Sequence, residues 1–192
     1  MLRIRARLLP ALLLGLCLAA PARAETGRSI LVLDASGSMW GQVEGEAKIA
    51  IAQRALFGLL ETLPAEEELG LVPPAPRRKG DCGDIELLVP AGPGTRDAIR
   101  AAVAAISPRG KTPLSQAVIE AAEALRYEEA AATVILLSDG IETCDLDPCA
   151  VGAALEQAGV DFTAHVIGFD VAAEKDRAQL RCLAENTGGR FL

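Results

Sequence analysis

The sequence predicts an α/β fold: a doubly wound, mostly parallel central sheet with one antiparallel edge strand and helices on both faces. Three observations carry this. Apolar runs of strand length alternate with stretches of helical periodicity through most of the chain. Two of those runs, Ile30-Leu31-Val32-Leu33 and Ala132-Thr133-Val134-Ile135-Leu136-Leu137, are almost wholly apolar, which suits strands buried on both faces. Each ends abruptly in a polar loop, Asp34-Ala35-Ser36-Gly37-Ser38 after the first and Ser138-Asp139-Gly140 after the second. Open α/β sheets bind their ligands just outside the carboxyl ends of strands.

A chain of 192 residues is about one domain. Half is apolar and 3% is aromatic, so the core is expected to be Ala, Leu, Val and Ile. Arg3, Arg5 and Arg7, the short apolar run Leu8 to Ala20 and Ala22-Arg23-Ala24 form the pattern of a secretory signal peptide over residues 1–24. The apolar run is too short for a stable spanning helix. The expectation is an exported protein, periplasmic or at the cell surface, with no membrane insertion of the mature domain, residues 25–192. A lipid anchor at Cys17 fits poorly, because Leu16 stands where a small residue is expected. Without the four arginines of residues 1–24, the 19 basic residues fall to 15 against 26 acidic, a net charge of −11. That balance argues against nucleic acid and anionic membrane surfaces as partners. Four cysteines remain, Cys82, Cys144, Cys149 and Cys182, and an even count in an exported chain suggests disulfides. Three pairings are open. A local staple between Cys144 and Cys149 is the first choice because they lie close in sequence.

Glu44 and Glu46 precede a helix whose stripe is Ile49, Ala52, Leu56, Leu59, Leu60 and Leu63, stopped by Pro64. Leu69-Gly70-Leu71-Val72 is a short strand. Pro73-Pro74-Ala75-Pro76 suits only a sheet edge or a strand end. A basic loop from Arg77 to Asp81 follows, then a strand from Asp84 to Pro90, the pair being read as antiparallel at a sheet edge. Thr95 is placed to cap a helix to Ile106, and Thr112 to cap the next with Pro113 at its first position. The latter helix carries Leu114, Ala117, Val118, Ala121 and Leu125. After the strand 132–137 come a helix over about Ala150 to Gln157, a strand from Val160 to Phe169 and a helix from Lys175 to Asn186. Arg190-Phe191-Leu192 begins one last strand.

Asp34, Ser36 and Ser38 offer one carboxylate and two hydroxyls at alternate positions. Such hard oxygen donors suggest Mg²⁺, Mn²⁺ or Ca²⁺ rather than zinc. Together with Gly110-Lys111-Thr112-Pro113-Leu114 at a helix start and Ser138-Asp139-Gly140 at a later strand end, in this order, the chain resembles a von Willebrand factor A domain with a metal-ion-dependent adhesion site. The resemblance runs from about Ser29 to Leu192 and is nearest the exported bacterial branch, through DASGSMWG, RRKGDC and SDGIETC. It implies that Ser36 and Ser38 bind the metal directly. Thr112 is then a direct or water-mediated ligand. Asp34 and Asp139 act largely through water or through the ligating hydroxyls. Mg²⁺ is the first choice, with Mn²⁺ or Ca²⁺ as alternatives. A partner protein is implied to complete the coordination with an Asp or Glu. The family's final helix would follow the strand begun at Arg190, and the mature domain is expected to lack it.

Around this site, Trp40 reads equally as an aromatic contact for a partner or as cover for the first helix. Arg77, Arg78 and Lys79 are candidates to guide an acidic partner, although plain surface charge is the simpler reading. His165, in an apolar strand, reads as a satisfied core histidine. A metal-dependent protein-binding module is the expected function, and an idle, structural domain is the alternative. A metal-dependent hydrolase fits less well: GxSxG, P-loop and HExxH patterns are missing, and Gly37-Ser38-Met39-Trp40-Gly41 is not a nucleophile elbow.

Overall fold

The computed structural model describes residues 27–192 except Pro76 and Ile141. The expected signal peptide lies outside the described residues. The central sheet is built from β1 (Arg28–Leu33), β4 (Glu68–Val72), β5 (Val89–Gly92), β6 (Ala132–Ser138) and β7 (Phe162–Gly168), in the order β5-β4-β1-β6-β7. Strands β4, β1, β6 and β7 are parallel, and β5 runs antiparallel to β4 at the edge. The predicted α/β class, doubly wound with one antiparallel edge strand, is the observed one.

Two layers of helix cover this sheet. Helices α1 (Lys48–Thr62) and α2 (Arg96–Ala105) pack on one face against Leu31, Leu33, Ile135 and Leu137. Helices α3 (Leu114–Ala124), α4 (Pro148–Ala158) and α5 (Glu174–Glu185) pack on the other, against Ile30, Val32, Val134 and Leu136. Alternate residues of β1 and β6 therefore point into two different cores, which is why both strands are apolar throughout. From β1 the chain crosses to β4 on one side, and it returns to β6 on the other. The sheet's switch point is the gap between the ends of β1 and β6, where an open sheet leaves a crevice.

Glu44 and Glu46 precede α1, and they lie in a small hairpin of β2 (Gln42–Val43) and β3 (Glu46–Ala47) turned by Glu44 and Gly45, both at positive φ. Several local expectations are corrected. The strand expected over Asp84 to Pro90 is shorter and later, because Ile85 makes only an isolated bridge to Pro74 before β5 begins. Thr95 stands at the N-cap position of α2, as expected, but its side chain makes no capping hydrogen bond. Its hydroxyl donates to the carbonyls of Leu69 (2.6 Å) and Gly92 (3.1 Å), binding the helix entrance to the sheet instead. Thr112 does not cap α3. The residue preceding that helix is Pro113, and the carboxylate of Glu142 accepts from Ser115 N at 2.8 Å in its place.

The local Cys144–Cys149 staple is also corrected: the disulfides are Cys82–Cys144 and Cys149–Cys182. Cys149 lies in the first turn of α4, whose N-cap is the Asp147 side chain. Gly152 lets α4 lie against α5 so closely that a Cβ there would be 2.9 Å from Leu183 O. This contact puts Cys149 opposite Cys182, while Cys144 stays in the exit loop of β6, opposite Cys82.

Non-reducing peptide mapping is expected to recover Cys82 joined to Cys144 and Cys149 joined to Cys182. These bonds close spans of 62 and 33 residues. Replacing either pair by alanine is expected to lower unfolding stability by about 4 kcal/mol on the chain-entropy model. A Cys144–Cys149 peptide would contradict the assignment.

Candidate functional site

The site lies at the switch point. Asp34 follows β1, and its N–H donates to Leu137 O of β6 at 2.9 Å, so the two strands stay paired up to the carboxylate. The Asp34 side chain is fully buried. Its Oδ1 accepts from Ser36 N (2.8 Å) and its Oδ2 from Ser138 Oγ (2.6 Å). One carboxylate thus shapes the loop after β1 and fastens it to the end of β6. Burial pushes its pKa up to about 6, against the lowering effect of the hydrogen bonds from Ser138 and Ser36, and the charge of Asp139 adds to the rise.

Beyond Asp34 the chain makes a 3-10 turn, Gly37–Trp40. Ser36 Oγ and Ser38 Oγ are 2.8 Å apart, and Ser38 Oγ donates to Asp139 Oδ1 at 2.8 Å. These oxygens form a continuous chain from one strand end to the other. The loop from Ser107 to Lys111 closes a further side. Arg109 N donates to Ala35 O (2.9 Å), and Gly37 N donates to Gly110 O (3.0 Å). Gly110 is required there, since a Cβ would be 2.5 Å from Ala75 Cβ. Thr112, two residues on, is buried and held to the loop after β6: its N–H donates to Thr143 Oγ1 (2.7 Å), and its carbonyl accepts from Thr143 N (3.1 Å). Asp34, Ser36, Ser38 and Asp139 are therefore joined directly. Thr112 reaches them through the loop backbone and makes no side-chain hydrogen bond to them among the described residues.

Lys48, Asp170 and Glu142 were missed in the sequence, and Ser138 was noted only as part of the Ser138-Asp139-Gly140 motif, without its bond to Asp34. Lys48 Nζ is 2.9 Å from Asp139 Oδ2 and 2.6 Å from Asp170 Oδ2, with its side chain only 13% exposed. Burial alone would lower the ammonium's pKa, but Asp170 and Asp139 outweigh it and hold the group above its ordinary value. The one available signal was a lysine opening a helix whose first turn has no acid, an electrostatically unfavourable place for it.

Met39 is buried against α1, whereas Trp40 is 56% exposed, with its Nε1–H donating to Pro108 O at 2.9 Å. Covering the first helix is thus the work of Met39. Arg77 and Arg78 hold the buried Asp84 through their N–H groups (2.7 and 2.6 Å) and guanidinia, and Arg77 also pairs with Glu86. Lys79 is exposed. Arg109, not singled out in the sequence, lines a groove of about 510 Å³ with Arg77, Glu86, Leu88, Ile106 and Ser107. His165 lies on β7, half-buried, with Nδ1 accepting from Arg190 N at 3.1 Å, as a satisfied histidine should. No three His, Cys, Asp or Glu side chains converge as a metal cluster among the described residues.

A family model described as von Willebrand factor type A domain matches residues 28–191. The chain belongs to this family. Among curated proteins it is 28% identical over 183 residues to YwmD of Bacillus subtilis (strain 168), covering 91% of this chain and 81% of the relative. It is 27% identical over 170 residues to YwmC of the same organism, covering 84% and 74%. Both relatives are described as uncharacterized. Among solved structures, a von Willebrand factor type A protein from Catenulispora acidiphila superposes with TM-score 0.67 at 23% identity, over 88% of this chain and 38% of that one. Proximal thread matrix protein 1 from the mussel byssus, with a zinc-occupied MIDAS motif, gives 0.63 at 20% identity, over 86% and 41%. The pilus adhesin SpaC from Lactobacillus rhamnosus GG, in its open conformation, gives 0.69 at 15% identity, over 88% and 28%. The chain spans less than half of each of these structures, and the likeness is one of fold.

Asp34 carries a pH signature. Its folded-state pKa lies above the unfolded value, so its contribution favours the fold below about pH 4 and is lost as pH rises through about 6. The carboxyls of Asp84, Glu46 and Glu174 are held below their ordinary values and run the opposite way, so the readout is a difference. In chelator-treated protein, the stability of Asp34→Asn relative to wild type is expected to rise between pH 4 and 7, followed by urea unfolding. A flat difference would show that burial does not shift this group.

Proposed function

We propose that this protein is an exported, non-enzymatic binding module. A divalent cation, Mg²⁺ in the first instance, sits at the switch point of its sheet, and an Asp or Glu of a partner protein completes the coordination. The observation that carries the reading is the run of oxygens Ser36 Oγ, Ser38 Oγ and Asp139 Oδ1 at successive 2.8 Å spacings. Adjacent corners of an octahedron with Mg–O distances near 2.1 Å are about 3.0 Å apart, so a small cation could accept these donors with little rearrangement. Asp34 and Asp139 supply negative charge, and the buried Asp34 carboxylate stands to gain from a nearby dication. Ser36 and Ser38 would hold the ion, with Asp34 orienting the loop through Ser36 N. Thr112 would join them directly or through water. Bound there, the metal would supply an electrophilic anchor for a carboxylate.

The surroundings support a protein partner. Trp40 stands exposed beside Pro108, and from there the surface continues along Ser107 and Arg109 into the groove with Leu88 and Arg77. An aromatic anchor, an apolar ledge and arginines beside a cation would suit an acidic peptide segment. Exposed Lys79 extends the basic rim, and Arg78 lies half-committed to Asp84 and Asp81. A non-enzymatic role is supported by the partners of Ser38, which are Ser36 and Asp139, while the chain's single histidine is occupied on β7. Export is supported by residues 1–24 and the two disulfides. The described helices include none long and apolar enough to cross a membrane. The zinc-occupied MIDAS of the mussel protein and the nature of SpaC as a pilus adhesin agree with this reading.

Thermal unfolding with and without Mg²⁺ tests it. Saturating Mg²⁺ is expected to raise Tm by about 5–10 °C, the shift for ligand near 100 times Kd. EDTA should reverse the shift, and Ser36→Ala or Ser38→Ala should abolish it. Arrayed Asp- and Glu-containing peptides should be retained in Mg²⁺ and lost in EDTA, with Trp40→Ala weakening retention but keeping the thermal shift. No metal response in the wild-type protein would refute the proposal.

A further inference from the structure

The site holds one cation of its own. Lys48 opens α1, yet its side chain runs back to the ends of β6 and β7, where two carboxylates receive its ammonium: Asp139 Oδ2 at 2.9 Å and Asp170 Oδ2 at 2.6 Å. The route is cleared by Gly41, where a Cβ would be 3.2 Å from Lys48 Cε. Asp170 takes a left-handed φ of 54°, an uncommon conformation for a residue other than glycine, at the turn that brings its carboxylate to the ammonium. Asp139, its side chain 1% exposed, is shared: Oδ1 accepts from Ser38 Oγ and Oδ2 from Lys48.

We propose that Lys48 is a tethered competitor of the divalent cation, drawing on the charge of Asp139 and so weakening metal binding, and that Asp170 is the carboxylate that keeps the ammonium when Asp139 turns to the metal. This rests on reading Ser36, Ser38 and Asp139 as the metal site. Two effects of removing Lys48 oppose one another. Asp139 loses one orienting hydrogen bond, which alone would weaken the metal. It also recovers its full charge, and a positive charge beside the dication disappears, which strengthens binding. The second effect dominates. The bond from Ser38 still fixes Asp139, and charge interactions in a poorly solvated site are strong and scale with the ion's double charge. Removing Asp170 acts the other way, because it leaves Lys48 in place with Asp139 as its remaining carboxylate among the described residues.

Isothermal titration of MgCl2 into chelator-treated full-length protein tests the proposal on wild type, Lys48→Met, Lys48→Arg and Asp170→Asn, each checked for folding by far-ultraviolet circular dichroism. Lys48→Met is expected to bind Mg²⁺ at least about tenfold more tightly. Asp170→Asn is expected to bind at least about threefold more weakly. Lys48→Arg should stay within about threefold of wild type. Opposite signs for Lys48→Met and Asp170→Asn distinguish competition from a merely structural role, which would weaken both. Equal or weaker binding by Lys48→Met overturns the proposal. If Lys48→Met does not fold, unchanged or tighter binding by Asp170→Asn overturns it. Should the wild type bind no Mg²⁺ while Lys48→Met does, the competition stands and the adhesion reading falls. If neither binds, both fall.

Discussion

The buried carboxylate of Asp34 is the constraint on which the rest of the site depends. It stands where β1 stops, in the gap between strands that leave the sheet's centre in opposite directions, and it has no contact with bulk water. A carboxylate so placed must be hydrogen-bonded or neutralised. Ser36 N and Ser138 Oγ meet the first need, and in doing so they set the path of the loop after β1 and lock it to the end of β6. The two serine hydroxyls and Asp139 are consequences of that lock. The two-sided core beneath matters for the same reason: β1 and β6 are clamped between α1 and α2 on one face and α3, α4 and α5 on the other, so the strand ends form a firm platform for an ionic site.

Charge is distributed around this platform in a way that follows from burial. Three carboxylates, those of Asp34, Asp139 and Asp170, approach the crevice, with one ammonium among them. Low exposure makes Asp34, Asp139 and Lys48 costly alone and dependent on their neighbours, whereas Asp170 stands at the solvent-exposed edge of the group. On our account, the metal affinity of the protein is set by how Asp139 divides its charge between Lys48 and an incoming dication. Arg77 and Arg78 follow the same rule elsewhere, spending much of their hydrogen bonding on buried Asp84, so that Arg109 and Trp40 are the freer groups at the rim.

The parts of this fold that local sequence controls were legible. The double-sided strands announced themselves as unbroken apolar runs, and the polar residues at their ends marked the crevice. Asp34, Ser36, Ser38 and Asp139, each at or beside one of those strand ends, lie together in the structure. What was illegible depends on contacts distant in the chain. Cys149 pairs with Cys182 because α4 and α5 touch at Gly152, a contact that proximity to Cys144 cannot reveal. Thr112 looked like a cap because it precedes Pro113, but Glu142, 27 residues beyond Ser115, performs the capping. Lys48 looked like the start of an amphipathic helix, and only the convergence of three elements gives its ammonium two carboxylates.

The proposed site puts a divalent cation between the two serine hydroxyls and Asp139. Anomalous diffraction from crystals grown with Mn²⁺ tests it most directly. One strong peak is expected within coordinating distance of Ser36 Oγ and Ser38 Oγ. No peak there, or a peak elsewhere on the chain, would contradict it.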